Sequence, residues 1–548
     1  MNPFLMTAAK KKRYIDNNSW GRPTLHEIFE KKAKEQADKE AFVDSGTRLT
    51  YRQAMHHIHR LACAFYKLGI EKDDVVVVML PNIVEAALLR LALPRAGILA
   101  QLIMPAFGPS EVKHILNFTR ARAIVIPWKF DRRDYYKMIQ DFYPELEAQP
   151  KILVAGQETP PGTISVSTLM QTPFEDEIPA TALAPRRIGT WEVQELNTTT
   201  GSTGMPKIAE SYGWNQLIGH ALREKWELTP EDNLGLIIPF PGGIANNFWA
   251  SGIVGGCKMA FLEKFEVTDT LRFIERERIT ILFGVPTIAE KLLTAANLKE
   301  FDLTSLRIFF LSGAPTPPTL AAEAEQKLNC TVVTLLGCVD FGPISGISVR
   351  DRQEIRFTSA GKPFPGTEVR IVDGKGLDVP AGGTGELLCR GPYACTGYYN
   401  RPELTLEAYG GDKDGWYRTG DLVRMDPEGN LYVVGRLKEI IKRGGMTISP
   451  AEVEDFLRRH PQVADVAVVS MPDPVLGERV CAFAVLRKQG RLDLAAMTSF
   501  LDQEGLAKFK WPERLEIVED FPMAGGQKIS KKKLSEMIAE KLKSEGKL

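Results

Sequence analysis

Five hydroxyl side chains and two glycines lead into a lysine in the run Thr198-Thr199-Thr200-Gly201-Ser202-Thr203-Gly204-Met205-Pro206-Lys207. Those residue types suit a loop that grips phosphate. Glycines let the backbone approach a ligand closely, hydroxyl and N–H groups donate to phosphate oxygens, and the lysine supplies positive charge. The run is not a nucleotide loop of the G-x-x-x-x-G-K-[ST] kind, because Pro206 stands before the lysine and Ile208 follows it. A turn rich in Ser, Thr and Gly is by itself often only a turn, so the residues downstream decide its meaning.

Three further blocks follow in order: Tyr417-Arg418-Thr419-Gly420-Asp421-Leu422, then Gly435-Arg436-Leu437-Lys438-Glu439-Ile440-Ile441-Lys442-Arg443-Gly444-Gly445, then Phe521-Pro522 with Lys528. Together the four blocks resemble the adenylate-forming superfamily of acyl-CoA synthetases, standalone aryl-acid adenylating enzymes and luciferases. The first block of that superfamily usually reads T-S-G-T-T-G-x-P-K-G, and Thr200, Ser202 and Ile208 are the departures here. The C-terminal half, including Met471–Arg479, is most similar to benzoate-, dihydroxybenzoate- and cyclohexanecarboxylate-activating members. The resemblance implies an α/β fold: a large N-terminal domain of stacked α/β subdomains plus a small β subdomain over residues 1–435, then a small mobile α+β lid over 436–548. It also implies ATP, Mg²⁺ and coenzyme A as cofactors, with a small carboxylic acid as substrate.

Activating a carboxylic acid with ATP requires a carboxylate oxygen to attack the α-phosphorus while pyrophosphate leaves. Two anions must be brought together, so positioning and charge neutralisation are the protein's task and no protein nucleophile is needed. The resemblance assigns the parts. Thr199, Thr200, Gly201, Ser202, Thr203 and Gly204, with Lys207, are expected to embrace the β- and γ-phosphates. Asp421 is expected to hold the ribose, since one carboxylate can accept from two vicinal hydroxyls, and Arg436 is its cationic companion. Lys528 takes the place of the C-terminal lysine that reaches the substrate carboxylate and the α-phosphate, with Gln527 where a glycine usually stands. Arg443, Gly444 and Gly445 resemble the loop lining the pantetheine tunnel, and Lys438 falls at the hinge about which the lid rotates.

The chain departs from the superfamily pattern around Leu336-Gly337-Cys338-Val339-Asp340. Leu336 replaces an aromatic that would flank adenine. Asp340 replaces the glutamate that would ligate Mg²⁺, keeping a hard oxygen ligand one methylene shorter. The segment Ser312-Gly313-Ala314-Pro315 resembles the one that runs along adenine and the acyl group, and Cys338 joins Ser312 in the expected acyl pocket. After Pro239, Gly242 and Gly243 leave volume while Phe240, Phe248 and Trp249 offer apolar walls, although these residues suit core packing equally. No polar anchor for ring hydroxyls stands out, which favours an unsubstituted ring acid such as cyclohexanecarboxylate, cyclohexenecarboxylate or benzoate. The expected activity is that of an AMP-forming acid–CoA ligase, reversible according to metabolite levels. Two other readings fit the same residues. One is an adenylating enzyme that delivers to a carrier-protein thiol; the other is a weakened adenylate-binding sensor, suggested by Leu336, Asp340 and Gln527.

Elements must hold these groups in place. Apolar β-rich runs at Val75–Leu80, Ala123–Pro127, Leu234–Pro239, Ile279–Val285, Leu306–Ser312 and Thr331–Leu335 alternate with helical patterns at Val84–Leu93, Asp269–Glu277 and Ile288–Ala296. Such alternation predicts α/β architecture with largely parallel sheets. From Glu354 to about Arg390 short strands between Gly/Pro turns suit a small β subdomain. After Gly435 the pattern restarts with helix Ala451–Arg459, strands Val463–Met471 and Val480–Leu486, helix Leu492–Glu504 and a terminal helix from Ser530.

At 548 residues the chain exceeds the size at which one core keeps growing. Lys+Arg and Asp+Glu are both 69, so nothing draws the protein to a polyanion and nucleic acid is not an expected partner. The longest apolar region, Ala86 to Phe107, is broken by Arg90, Arg95 and two prolines, which argues against a membrane span. The basic run Lys10–Arg13 is not followed by the apolar segment of a signal peptide. Seven scattered cysteines without C-x-x-C suit a reduced cytoplasmic chain. His56, His57 and His59 read as a solvated helix surface rather than a metal site. Monomer and homodimer are both open.

Overall fold

The computed structural model describes Lys12, Tyr14 and residues 23–156, 158–198, 206–211, 214–395, 397–409, 415–443, 446–487, 490–524 and 528–547. The chain divides into two compact units, Met1–Glu368 with Cys389–Tyr417 and Val369–Leu388 with Arg418–Leu548.

Two seven-stranded sheets make up most of the first unit. Parallel strands covered on both faces read as unbroken apolar runs, and Val75–Val78, four buried valines, does so. One sheet orders its strands Ile208–Ser211, Glu195–Thr198, Leu99–Leu102, Val75–Val78, Ala123–Pro127, Lys151–Ala155 and Ile164–Ser165. Every pair in it is parallel except the first. The other runs Thr331–Val333, Ile308–Leu311, Ile281–Gly284, Asn233–Leu236, Lys258–Phe261, Glu40–Val43 and Arg48–Thr50, parallel except for the last pair. A parallel sheet gathers the loops that follow its strands at one edge, which is where ligands bind in such folds.

Asn82 joins the two loop edges. It follows strand Val75–Val78 of one sheet, and its amide nitrogen donates to the carbonyls of Ile238 (2.8 Å) and Leu262 (3.0 Å), which follow strands of the other. Its amide oxygen accepts from the Phe240 N–H at 2.7 Å. A buried amide satisfied on both sides fixes orientation as well as distance. The apolar region from Ala86 to Phe107 resolves into helix Val84–Arg95, buried at every residue but Glu85, and the buried strand Leu99–Leu102. No helix among the described residues is long and apolar enough to cross a membrane. On helix Tyr51–Lys67 His56 is exposed, but His57 and His59 are half-buried rather than solvated.

In the second unit, hairpin Tyr417–Met425/Leu431–Arg436 completes a four-stranded sheet with Glu368–Val372 and Gly385–Arg390. Arg436, where the sequence reading begins the lid, is the last residue of that hairpin. A five-stranded sheet follows, built on the long antiparallel pair Val463–Asp473 and Gly477–Leu486. Helices Pro450–Leu457 and Leu494–Gln503 bury Val453, Leu457, Met497 and Leu501 in one apolar cluster with strand residues of this sheet. Helix Lys531–Ser544 buries Leu534, Ile538 and Leu542 in a second cluster, again with strand residues.

Candidate active site

Strand Glu195–Thr198 turns back into Ile208–Ser211 with Thr198 paired to Ile208. The Ser/Thr/Gly-rich run is therefore the connection between two antiparallel strands, at the loop edge of a parallel sheet. Thr199, Thr200, Gly201, Ser202, Thr203 and Gly204 lie outside the described residues. Lys207, at the exit, has its ammonium 4.9 Å from the centre of the Tyr398 ring, a cation–π distance. Tyr398 is held beside this hairpin by an antiparallel bridge to Ala209. Flanking backbone bonds run from Glu210 N to Gly397 O (2.9 Å) and from Tyr399 N to Ile208 O (2.8 Å).

The Tyr398 hydroxyl donates to Asp340 Oδ1 at 2.5 Å, and the Cys395 thiol donates to the Asp340 carbonyl. Burial pushes the Tyr398 hydroxyl above its ordinary range and the Asp340 charge adds to the push, so the phenol stays a donor. Asp340 follows strand Leu335–Cys338, where Leu336 and Cys338 are half-buried and Gly337 is exposed. Ser312 Oγ donates to the Leu335 carbonyl at 3.1 Å, which keeps Ser312, Gly313, Ala314 and Pro315 beside the start of that strand. Gly313 has φ +89°, and a Cβ there would lie 2.7 Å from Ile244 Cδ1; glycine is required.

A small cleft opens at the same edge. It is lined by Leu102, Met104, Phe107, Pro241, Gly242, Gly243 and Val339, with Asn197 and Thr198 as its polar members. Gly242 and Gly243, expected to leave volume for the acid, are part of its lining. Phe240, Phe248 and Trp249 do not line it: they are 0%, 0% and 2% exposed and join an aromatic core with Phe261 and Phe283. Two of them enclose a charge. The guanidinium carbon of Arg90 is 5.1 Å from the Phe240 ring centre and 5.3 Å from that of Trp249.

Arg90 forks onto Glu195, Nε to Oε2 at 3.0 Å and Nη2 to Oε1 at 2.8 Å. Both are buried, and burial pushes the Glu195 carboxyl up and the Arg90 guanidinium down against their mutual attraction. Arg90 Nη2 also donates to Asn246 Oδ1. Asn246 Nδ2 donates to Asn197 Oδ1 at 3.4 Å, and Asn197 Nδ2 to Ser211 Oγ at 2.5 Å.

In the second unit Asp421 and Arg436 face each other across the hairpin, with Nε 2.8 Å from Oδ1 and side chains 7% and 55% exposed respectively. Thr419 Oγ1 accepts from the Asp421 N–H at 3.0 Å and donates to the Leu387 carbonyl at 2.9 Å. Arg443 forks onto Glu513 at 3.0 and 2.9 Å. Lys438 is exposed in the turn after Leu431–Arg436. The backbone of Lys528 pairs with Ala524; its side chain, with Gly444 and Gly445, lies outside the described residues.

The model of the AMP-binding enzyme family matches residues 29–399, and that of the AMP-binding enzyme C-terminal domain matches 452–528. The chain belongs to the AMP-binding enzyme family. It is 34% identical over 537 residues to 2,3-dihydroxybenzoate-AMP ligase of Bacillus subtilis (strain 168), covering 96% of each chain. It is 32% identical to salicylyl-CoA synthase / salicylate adenylyltransferase of a Streptomyces species, covering 97% of each. Its fold matches the crystal structure of the anthranilate CoA ligase AuaEII in complex with anthranoyl-AMP with a TM-score of 0.85 and 24% identity, over 95% of this chain and 98% of that one. It is an adenylate-forming acid ligase with the expected mixed α/β fold.

In this AMP-binding enzyme Asp340 suits Mg²⁺. Its Oδ1 is fixed by Tyr398, and no group of three potential metal-ligating side chains occurs among the described residues. Mg²⁺ commonly takes one or two carboxylates and completes its shell with water and substrate phosphates. Tyr398, Asn82, Glu195, Asn197 and Asn246 were not singled out from the sequence. Arg90 was visible there only as a charge breaking an apolar helix, and that break was the available signal.

Proposed function

We propose that this AMP-binding enzyme is an AMP-forming acid–CoA ligase for a compact cyclic acid. The observation that carries the reading is the chain of contacts from Lys207 through Tyr398 to Asp340, which sets a phosphate-loop cation beside a carboxylate suited to Mg²⁺. Lys207 and the loop before it neutralise the β- and γ-phosphates. Asp340 would hold the metal, whose charge would further offset that of the phosphates. Asp421 takes the ribose hydroxyls with Arg436 beside it, and Gly313, Ala314, Pro315, Leu336 and Gly337 line the adenine. The acid enters the cleft of Gly242 and Gly243, and Lys528 draws its carboxylate to the α-phosphate. The new C–O–P bond forms as the bond to pyrophosphate breaks.

In the second half-reaction residues 436–548 turn at Lys438 and Arg443, Gly444 and Gly445 line the coenzyme A path. The thiol sulfur then bonds to the acyl carbon, AMP departs and the thiol proton passes to solvent. Seven free cysteines suit the reducing cytoplasm that we propose as the compartment. The relatives named above include both an AMP ligase and a CoA synthase, so the acceptor is tested directly. Mass spectrometry would follow products with ATP, Mg²⁺ and coenzyme A over benzoate, hydroxybenzoates, cyclohexanecarboxylate and fatty acids. Acyl-CoA from a ring acid, abolished by Lys528→Ala, is the expected result. Acyl-AMP without acyl-CoA would overturn coenzyme A as acceptor, and nucleotide binding with neither product would overturn the ligase.

A further inference from the structure

Asn197 lines the cleft, and its amide cannot choose its own orientation. An arginine only donates, so the Asn246 atom that meets Arg90 must be Oδ1. Asn246 must then offer Nδ2 to Asn197 Oδ1, which leaves Asn197 Nδ2 to donate to Ser211. The polarity of the buried Arg90–Glu195 pair is thus transmitted through two amides to the cleft wall. The second N–H of Asn197 has no acceptor among the described residues. Arg90 Nη1 and the carbonyl oxygen of Gln101, whose amide bonds Thr198, are likewise buried without a hydrogen-bond partner among the described residues. Buried polar groups are rarely left so.

We infer that this relay makes Asn197 a specificity-determining donor, and that the acid carries a neutral oxygen substituent, a hydroxyl, alkoxy or keto group, that accepts from Asn197. This rests on the acid-activating reading above and refines its substrate. The charges of Arg90 and Glu195 cancel, so the wall holds no counter-charge for a second carboxylate, and burying one unpaired is prohibitive. An unsubstituted ring would instead leave a buried donor unsatisfied. That penalty is large enough to discriminate about tenfold or more.

Acid-dependent ATP–pyrophosphate exchange on the whole enzyme tests this without involving the acceptor. The probes are benzoate and cyclohexanecarboxylate, their singly hydroxylated and methoxylated forms at each ring position, and the corresponding dicarboxylates. The wild type should prefer one singly oxygenated acid over its plain parent by about tenfold or more in kcat/KM and should reject dicarboxylates. Asn197→Leu, and Asn246→Leu acting through it, should bring that ratio close to one. Because it is a ratio within one preparation, loss of folded protein cancels. Wild-type preference for plain acids or dicarboxylates would overturn the inference even where no variant folds, while leaving acid activation standing. So would a ratio unmoved by either variant. Exchange with no ring acid at all would overturn the substrate class beneath it.

Discussion

Replacing Tyr398 by phenylalanine separates two interactions that the wild type makes with one side chain. The ring remains, so the cation–π contact with Lys207 at 4.9 Å is kept. What goes is the 2.5 Å hydrogen bond to Asp340 Oδ1. A hydrogen bond to a charged group contributes about 1.5–3 kcal/mol, so loss of Asp340's orientation should lower kcat/KM for Mg-ATP by roughly 10- to 150-fold. Because the carboxylate is freed and not removed, the Mg²⁺ concentration for half-maximal rate should rise while saturating Mg²⁺ recovers part of the loss. Tyr398→Leu loses the ring as well and should fall further by an amount set by a cation–π contact, about 0.5–2 kcal/mol. The assay is acid-dependent pyrophosphate exchange across a Mg²⁺ titration, with calorimetry of ATP binding with and without Mg²⁺ as a readout independent of turnover. Wild-type rates and Mg²⁺ dependence in Tyr398→Phe would refute the link between Lys207 and Asp340.

Three further outcomes concern stability and pH. Glu195→Gln leaves Arg90 buried with its charge uncompensated and should destabilise by about 3–5 kcal/mol, whereas Arg90→Met/Glu195→Leu together should lose much less; urea midpoints of the first unfolding transition distinguish them. At Glu277 burial alone would raise the carboxyl, but hydrogen bonds from Arg48 and Arg276 and the Lys258 charge outweigh it and lower the pKa from 4.5 to about 2. A lowered carboxylate stabilises above its unfolded pKa and loses that contribution as pH falls through the folded value. The wild type should therefore lose about 3 kcal/mol between pH 4.5 and 2 that Glu277→Gln does not lose, as read from denaturation midpoints across that range. Gly313→Ala, at φ +89° and against Ile244, should destabilise by about 1–2 kcal/mol and weaken adenylate binding, measurable by calorimetry.

The parallel framework was legible because strands buried on both faces must be apolar throughout, and Val75–Val78 and Ala123–Pro127 are. The terminal elements of the second unit followed from helical and strand periodicity, with Ser530 at the cap of Lys531–Ser544. Lys207, Asp340 and Asp421 were picked out by resemblance to the superfamily's blocks. Their partners were not, since local pattern carries no record of a contact between positions far apart in the chain. Tyr398 meets Asp340 across 58 residues, and Arg90 meets Glu195 across 105. The aromatic residues after Pro239 show the converse. Bulk and apolarity marked Phe240, Phe248 and Trp249 as fit for a wall or a core alike, and only tertiary packing places them behind the cleft.

Asn82 clasps its partners through main-chain atoms alone: the carbonyls of Ile238 and Leu262 and the amide of Phe240. Every residue type presents those atoms, proline's missing N–H excepted. The clasp is therefore blind to side-chain identity in the loops it secures. Substitutions there can reshape the cleft while the spacing of the two sheet edges is preserved, which leaves selectivity free to drift on a frame that does not.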